Sequence, residues 1–325
     1  MIDASLLKEL IREPDWADSS GEACLCVDLS EARYSNDELK AVSHWLRRQP
    51  VPVIGLMNTD ERMTDALDLL ADTATEAERL ASFIGQHPQA SAVLMHITRV
   101  TMSLPVSEAL AVESLGYATL QGGEEFSRWL SAQDKMRISE SNLSAPVVME
   151  RTGAELSILL NSPTNRNALS VSMRDGLSEA FSLVAMDDSI ERVVVSGAGP
   201  CFSAGGDLTE FGTSTDVAAA HRIRQLKMPA QYLVDHARRY RFNLHGACIG
   251  AGIELPAFAG HISATRDAFF RLPEVAMGLI PGAGGCVSIP RRIGRHRTNY
   301  LAVTGMELSA EKALSWGLID ELTDE

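Results

Sequence analysis

Three stretches of small and apolar residues decide how this chain folds. They are Phe-Ser-Ala-Gly-Gly-Asp-Leu at residues 202–208, Gly-Ala-Cys-Ile-Gly-Ala-Gly-Ile-Glu-Leu at 246–255, and Phe-Arg-Leu-Pro-Glu-Val-Ala-Met-Gly-Leu-Ile-Pro-Gly-Ala-Gly-Gly at 270–285. The first two place small residues at a predicted transition from strand to helix. Small side chains let a ligand approach the peptide N–H groups, and the positive end of a helix strengthens their pull on an oxyanion. Taken singly, each of these loops is more simply explained as a tight turn in which glycine serves the geometry of the backbone, and a site built from backbone N–H groups is the alternative.

The sequence around these stretches alternates strands and helices. Residues 156–160 and 192–196 are apolar runs typical of buried strands. Between them, residues 171–186 have helical periodicity, with Leu177, Phe181 and Val184 on one face. This alternation predicts an α/β fold for the second half of the chain.

The glycine-rich loops lack nucleotide-binding and serine-hydrolase patterns. Gly197-Ala-Gly199 follows a strand, but Phe202 occupies the third glycine position of GxGxxG, and GxxxxGK[ST] does not occur. Ser203 is not in a GxSxG pattern because residue 201 is cysteine. A nucleotide site and a nucleophilic serine are both disfavoured.

Composition excludes several classes of protein. The chain has 325 residues, which favours about two domains. With 45% hydrophobic and 22% charged residues, neither a disordered chain nor a coiled coil is expected. No apolar run approaches the ~18 residues of a membrane span, and the first residues resemble neither a signal nor a transit peptide. A soluble, cytoplasmic protein that does not bind a membrane is expected.

Charge and glycine divide the chain into two unlike segments. Residues 1–147 contain 12 basic and 23 acidic side chains and 6 of the 24 glycines, whereas residues 148–325 contain 17 basic and 20 acidic side chains. An acidic chain repels phosphate backbones, and the densest basic run, residues 291–297, lacks interleaved aromatic side chains. No nucleic acid partner is expected. The five cysteines include no CxxC pair and the histidines are scattered, so reduced thiols and no metal are expected.

In their order and spacing, the three stretches resemble the crotonase superfamily, also called the enoyl-CoA hydratase/isomerase family. The resemblance runs from about residue 148 to residue 321 and includes residues 160–169 and 301–320. It implies an α/β core of repeated ββα units wound into a spiral, here preceded by a mixed, mainly helical N-terminal domain.

The resemblance implies a site that stabilises a thioester enolate. The backbone N–H groups of Ala204 and Ala251 would then hold the thioester oxygen. Ala251 stands at the middle of the family's Gly-Gly-Gly, where it keeps the N–H and adds a methyl group. Further residues expected to contact the substrate or its coenzyme A are Asn167, Ala168, Ser203, Gly205, Asp207, Gly250 and Gly282.

Two glutamates of this sequence match the two glutamates found in those family members that hydrate a 2-enoyl-CoA. Addition of water needs one group to activate water at C3 and another to deliver a proton to C2. By the resemblance, Glu254 orients and deprotonates the water, and Glu274 is the proton donor. Both have apolar sequence neighbours, so burial should raise the pKa of at least one of them.

An acyl-CoA hydratase is therefore the predicted enzyme, with coenzyme A as part of the substrate and no separate cofactor. Within the family, the alternatives are a double-bond isomerase, which can run with Glu274 alone, and a hydrolase that opens a ring or cleaves the thioester. A non-catalytic subunit that binds an acyl-thioester is an alternative of another class. The thioester could also belong to a carrier protein. Arg266 and residues 291–297 are either ligands of the coenzyme A phosphates or solvated arginines.

Residues 1–140 are predicted to be a degenerate crotonase-like domain, joined by a linker at 134–147 to the catalytic domain at 148–325. Residues 76–90 and 104–114 resemble the family's C-terminal helices, and residues 52–58 and 66–72 weakly resemble its second loop and the helix after it. The helices between 75 and 130 would then cap the catalytic domain of the same or a neighbouring chain. An unrelated helical interaction arm is the alternative. A homotrimer or a dimer of trimers is the expected assembly.

Overall fold

The computed structural model describes residues 1–11, 21–29, 34–56, 61–133 and 145–324. Residues 134–144, most of the expected linker, lie outside this part of the chain. The described residues form a smaller N-terminal segment and a larger segment that begins at residue 145. No helix in the described part is long and apolar enough to cross a membrane.

The N-terminal segment begins with a four-stranded parallel sheet whose strands lie in chain order. The strands are β1 (Ile2–Asp3), β2 (Leu25–Asp28), β3 (Val53–Leu56) and β4 (Leu69–Ala71), with helices α1 (Ala4–Leu10) and α2 (Asn36–Arg47). Ser35 and Glu38 form a capping box that starts α2. The helix expected within residues 66–72 is wrong, because Leu69–Ala71 pairs with β3 as a strand.

Four helices follow this sheet and form the rest of the N-terminal segment. They are α3 (Ala74–Gln86), α4 (Pro88–Thr101), α5 (Val106–Gln121) and α6 (Glu124–Ala132). Thr73 caps α3 by accepting a hydrogen bond from the N–H of Glu76, and Pro88 starts α4 at a position that needs no N–H partner. The helices predicted between residues 75 and 130 are confirmed.

The larger segment contains a six-stranded sheet of order β13-β10-β8-β7-β6-β5, in which only β5 and β6 pair antiparallel. Its strands are β5 (Val147–Thr152), β6 (Glu155–Leu160), β7 (Arg192–Gly197), β8 (Tyr240–Leu244), β10 (His261–Thr265) and β13 (Glu321–Thr323). A second sheet of order β12-β11-β9 is formed by β9 (Ala247–Ile249), β11 (Phe269–Arg271) and β12 (Leu308–Ser309). The predicted α/β fold is confirmed.

Helices cover these sheets and carry the site. They are α7 (Val171–Met186), α8 (Val217–Lys227), α9 (Ala230–Val234), α10 (Ala251–Glu254), α11 (Gly285–Ile293), α12 (Arg295–Thr304) and α13 (Ala310–Trp316). A 3-10 turn, Glu274–Met277, follows β11. Ser170 caps α7, whose buried face includes Leu177, Phe181 and Val184 as the sequence predicts.

The helices of the N-terminal segment pack on the larger segment of the same chain. Helix α4 contacts α11 and α12, and α5 contacts α8 and α11. A single buried cluster includes apolar side chains from both segments, such as Leu94 and Leu110 from the first and Val287 and Leu301 from the second. The two segments therefore share this hydrophobic core, while the N-terminal sheet and its helices α1 and α2 have a separate cluster of their own, which includes Leu7 and Leu46.

Candidate active site

The first two glycine-containing stretches lie against each other. Ser203 and Cys248 form a parallel bridge between the loop after β7 and strand β9. Gly205 has φ +89°, and a Cβ there would lie 2.7 Å from the carbonyl oxygen of Ile249. A Cβ at Gly252 would lie 2.6 Å from the carbonyl oxygen of Ser203. Only glycine permits this approach, which brings the loop after β7 to the start of α10.

At this junction, the peptide N–H groups without an acceptor among the described residues include that of Ala251 but not that of Ala204. Ala251 is the first residue of α10, and its N–H donates to no group in the described part of the chain. The prediction for Ala204 is wrong, because its N–H already donates to the carbonyl oxygen of Arg166 at 2.9 Å. Two residues further along the same loop, the N–H of Gly206 has no acceptor among the described residues.

Glu254 ends helix α10, and the hydrogen bonds to its side chain from the described residues come from backbone N–H groups. The residue is 2% exposed, and its Oε2 accepts hydrogen bonds from the N–H groups of Ala283 at 2.7 Å and Gly285 at 2.9 Å. Burial raises the pKa of Glu254 to about 7, and the two hydrogen bonds act in the opposite direction. The carboxyl can therefore gain or lose a proton near neutral pH.

Glu274 begins the 3-10 turn after β11, and its carboxyl lies against Gly250. A Cβ on Gly250 would collide with Oε1 of Glu274 and would lie 3.7 Å from Oε1 of Glu254. Oε2 of Glu274 is buried and has no hydrogen-bond partner in the described part of the chain. Burial and then the charge of Glu254 raise the pKa of Glu274 well above that of an ordinary glutamate. The carboxyl groups of Glu254 and Glu274 thus both lie near Gly250, but their hydrogen-bond surroundings differ.

A third buried carboxylate, absent from the sequence prediction, comes from helix α5. Glu113 is 2% exposed, and its Oε1 accepts a hydrogen bond from the N–H of Gly284 at 2.7 Å. Its Oε2 accepts one from the N–H of Cys286 at 2.8 Å. Burial and then the charge of Glu254 raise its pKa. The sequence signal for this residue was a glutamate on the face of α5 that also carries the buried Ala109 and Leu110.

One turn further along α5, Tyr117 also reaches the site. Its ring packs on Gly282, where a Cβ would collide with it. Burial, and then the charges of Glu274 and Glu254, raise the pKa of Tyr117, whereas the charge of Arg224 acts to lower it. The Arg224 guanidinium, from α8, lies 4.7 Å from the centre of the Tyr117 ring.

A narrow cavity opens beside Arg224 and Gly282. The guanidinium of Arg224 donates hydrogen bonds to Ser114 and to Gln121 of α5. Helix α5 lines one side of the cavity, and the segment that contains α8 and α9 lines the other. The lining residues are Leu110, Glu113 and Ser114 from α5, Arg224, Gln225, Met228 and Gln231 from the second segment, and Gly282. The N-terminal segment therefore forms part of the wall of this cavity.

The polar side chains expected to contact the substrate hold the loops instead. Asn167 is fully buried, and its Nδ2 donates to the carbonyl oxygens of three residues, Ala198, Cys201 and Phe202. The Ser203 hydroxyl donates to the carbonyl oxygen of Asn167 at 2.8 Å. Asp207 caps the following 3-10 turn by accepting from the N–H of Thr209. Neighbouring Ala168 is buried.

The basic run at residues 291–297 is also occupied within the chain. Arg291 donates to the carbonyl oxygens of Thr101 and Leu104, and Arg292 to those of Ala257 and Ala259. The guanidinium of Arg297 lies 5.2 Å from the centre of the Trp316 ring, and Arg266 pairs with Asp324 at 3.0 Å. The structure favours internal roles for Arg291 and Arg292 over contact with coenzyme A phosphates.

The larger segment of the chain is similar to known proteins. A family model described as "Enoyl-CoA hydratase/isomerase" matches residues 150–325. The chain is 30% identical over 200 residues to the mitochondrial Delta(3,5)-Delta(2,4)-dienoyl-CoA isomerase of Rattus norvegicus. This match covers 57% of this chain and 60% of that protein. It is 30% identical over 182 residues to the 2,3-dehydroadipyl-CoA hydratase of Escherichia coli, covering 54% of this chain and 68% of that protein.

A solved structure gives the same result for the fold. The structure of the enoyl-CoA hydratase of Thermoplasma volcanium superimposes with a TM-score of 0.51 and 36% sequence identity. The superposition covers 56% of this chain and 73% of the hydratase chain. The match to the rat isomerase spans less than two thirds of that relative's length. The crotonase-like α/β core predicted from the sequence is confirmed by these similarities.

Proposed function

Because the chain belongs to the enoyl-CoA hydratase/isomerase family, we propose that residues 148–325 add water across the double bond of a 2-enoyl-CoA. The observation that carries this proposal is the meeting of Glu254 and Glu274 at Gly250. Two N–H donors favour the charged form of Glu254, whereas the unpartnered Oε2 of Glu274 favours the neutral form. One base and one acid are what hydration requires.

In the proposed mechanism, the N–H groups of Ala251 and Gly206 hold the thioester oxygen. Gly206 replaces Ala204 in this role because the N–H of Ala204 is already bonded to Arg166. Donors fixed at the position of the developing negative charge lower the barrier without reorganising during the reaction. The close packing of the two loops supports their joint use.

The proton transfers follow from the two carboxyl environments. Glu254 takes a proton from water while the water oxygen bonds to C3, and the electrons of the double bond move toward the thioester oxygen. The resulting enolate collapses as Glu274 gives its proton to C2. Glu254 ends protonated and Glu274 ends charged, so a proton exchange with solvent restores both groups.

For the N-terminal segment, we propose a degenerate crotonase-like domain whose helices α3 to α6 complete the catalytic domain of the same chain. Support comes from Glu113, which bonds the N–H groups of Gly284 and Cys286, and from Thr101, whose hydroxyl donates to the carbonyl oxygen of Cys286 at 2.9 Å. An interaction arm that only recruits other proteins would not need a buried carboxylate in the site.

The purified full-length chain offers a direct test. Incubation with a short and a long 2-enoyl-CoA should remove the absorbance of the conjugated thioester, and mass spectrometry should find a product heavier by one water. Binding of both thioesters without turnover would contradict the hydratase proposal and favour the non-catalytic alternative. Release of a free thiol would instead identify a thioester hydrolase.

Isomerisation is the second candidate, because the rat relative bears the name of a dienoyl-CoA isomerase. A 3-enoyl-CoA supplied to the same protein distinguishes the two reactions. An isomerase should generate conjugated absorbance without adding water, whereas a hydratase should leave the 3-enoyl-CoA unchanged.

A further inference from the structure

We propose that Glu113 of the N-terminal segment is a positioning residue for Glu254, because the two carboxylates divide the four successive N–H groups of residues 283–286 between them. This inference rests on the proposed function in taking Glu254 as a catalytic group. It assigns the N-terminal segment a specific part in the reaction of the catalytic domain.

The hydrogen bonds alternate along the backbone. Glu254 accepts from residues 283 and 285, at 2.7 and 2.9 Å, and Glu113 accepts from residues 284 and 286, at 2.7 and 2.8 Å. Each peptide group is a rigid plane that is joined to the next at a common Cα, so a shift of the N–H groups held by Glu113 also moves the neighbouring N–H groups that hold Glu254. The position of the Glu254 carboxylate therefore depends on Glu113.

Each carboxylate reaches this stretch from a different direction and segment. Glu254 belongs to α10 of the catalytic domain, and the hydroxyl of Ser288 donates to its carbonyl oxygen at 2.7 Å. Glu113 belongs to α5 and lies 171 residues from Gly284 in sequence. Both are almost fully buried, so water does not compete for the four N–H groups. The four hydrogen bonds to residues 283–286, which we call the clamp, therefore hold the start of α11 between the two segments.

Several titratable or charged groups face Glu113 from the elements around it. They are Glu254 on α10, Arg224 on α8 and Cys286 on α11, and Glu274 adds its charge to the environment of Tyr117 on the same helix. Removing Glu113 can therefore act on Glu254 in two ways. Loss of the clamp weakens the N–H bonds to Glu254 and raises its pKa, whereas loss of a negative neighbour lowers it. The positioning role predicts that the first effect is larger.

The substitution Glu113→Gln tests this role because it keeps the shape of the side chain. The amide NH2 then faces one of the two N–H groups, so that part of the clamp opens. We expect kcat to fall between about tenfold and a hundredfold, with KM changed by less than about threefold. The acid limb of the pH–rate profile should move to higher pH by roughly 0.5–1 unit.

Two controls separate positioning from general stability. Glu108→Gln changes an exposed glutamate of the same helix and should leave kcat, KM and the pH profile as in the wild type. Thr101→Val removes another hydrogen bond between the segments, to the carbonyl oxygen of Cys286. It should lower the melting temperature without moving the acid limb. Equal kinetic effects of Thr101→Val and Glu113→Gln would reduce Glu113 to a structural residue and overturn the proposal.

Amide hydrogen exchange gives a readout that does not depend on activity. In Glu113→Gln, the N–H groups of residues 283–286 should exchange several-fold to about tenfold faster than in the wild type. Unchanged exchange would overturn the inference even if the wild type proved inactive as a hydratase. In an active enzyme, an acid limb that moves to lower pH would overturn it as well. If Glu113→Gln does not fold, Glu113→Asp can replace it. The shorter side chain moves both carboxylate oxygens away from the N–H groups by the length of one methylene group, so amide exchange of residues 283–286 should again be faster than in the wild type.

Discussion

Arg295 Nη1 donates a hydrogen bond to Asp68 Oδ1 at 3.2 Å, which joins helix α12 to the edge of the N-terminal sheet. Asp68 is completely buried and also accepts hydrogen bonds from Arg99 and from the N–H of Val53. One carboxylate thereby ties strand β3, helix α4 and helix α12 together. The two segments are held by charge at this point as well as by their shared apolar core.

Asp68→Ala should strongly destabilise the chain because it removes a fully buried anion and leaves two partly buried guanidinium groups, those of Arg99 and Arg295, without it. Removing one partner of a buried ion pair typically costs ~3–5 kcal/mol of unfolding free energy. Urea unfolding followed by circular dichroism measures this loss. Asp65→Ala is the matched control, since Asp65 lies near Arg47 at 3.9 Å with 85% of its side chain exposed. Similar losses for both variants would show that the buried pair has no special role.

Substitution of the two catalytic glutamates should separate hydration from isomerisation. Glu274→Gln removes the proposed proton donor and should lower the rates of both reactions by about 10²–10⁴-fold. Glu254→Gln should lower hydration to a similar extent but leave an isomerase active. Steady-state rates on a 2-enoyl-CoA and a 3-enoyl-CoA measure the two reactions. Full hydratase activity in Glu254→Gln would remove this residue from the mechanism.

The pH dependence of hydration should be bell-shaped. Glu254 acts as a base, so kcat/KM should rise as its proton leaves, with a limb near its pKa of about 7. Glu274 must be protonated, and its pKa lies well above the ordinary glutamate range, so activity should fall again at higher pH. Because the two carboxyls interact, the apparent values belong to the pair. An activity that increases toward pH 5 would contradict the assignment of Glu254 as base.

The same shifts predict how stability depends on pH. Both carboxyls have pKa values raised by folding, so the folded chain retains protons that the unfolded chain releases. Their contribution to stability is therefore complete below the pKa of an ordinary glutamate and decreases as pH rises through about 7. Glu254→Gln should reduce this dependence, which melting temperatures between pH 5 and 8 would detect. An undiminished slope in the variant would assign the effect to other groups.

Ala251→Pro offers a test of the proposed oxyanion donor. Residue 251 is the first residue of α10, where proline is tolerated because the N–H has no partner within the helix. Loss of this N–H should lower kcat by about 10²–10³-fold. Ala251→Gly keeps the N–H and should stay close to the wild type in kcat. Equal activity of the two variants would exclude this N–H as a donor to the thioester oxygen.

Local sequence patterns predicted much of the fold of the larger segment. The apolar run at 156–160 and the periodicity of 171–186 each depend on neighbouring residues alone, and they became β6 and α7. The meeting of Glu254 and Glu274 was also predictable, because their motifs resemble those of a known family. In contrast, a helix was predicted within residues 66–72, and the strand that forms there depends on pairing with β3, which the local sequence does not show.

The parts of the site that were missed depend on contacts between distant residues. Nothing near Ala204 in sequence shows that its N–H bonds to Arg166, 38 positions earlier. Glu113 resembles many other helical glutamates until Gly284 and Cys286 are brought to it. Its position on the apolar face of α5 was the one local signal, since a charge among buried residues needs partners.

The separation of 171 residues between Glu113 and Gly284 also has a consequence during synthesis. At the usual speed of translation, roughly 10–30 seconds pass between the production of the two residues. Helix α5 emerges from the ribosome during this interval with α4 to pack on, but before α8 and α11, which cover the rest of it, exist. The side of α5 that faces α11 therefore stays uncovered on the nascent chain until residues 283–286 arrive.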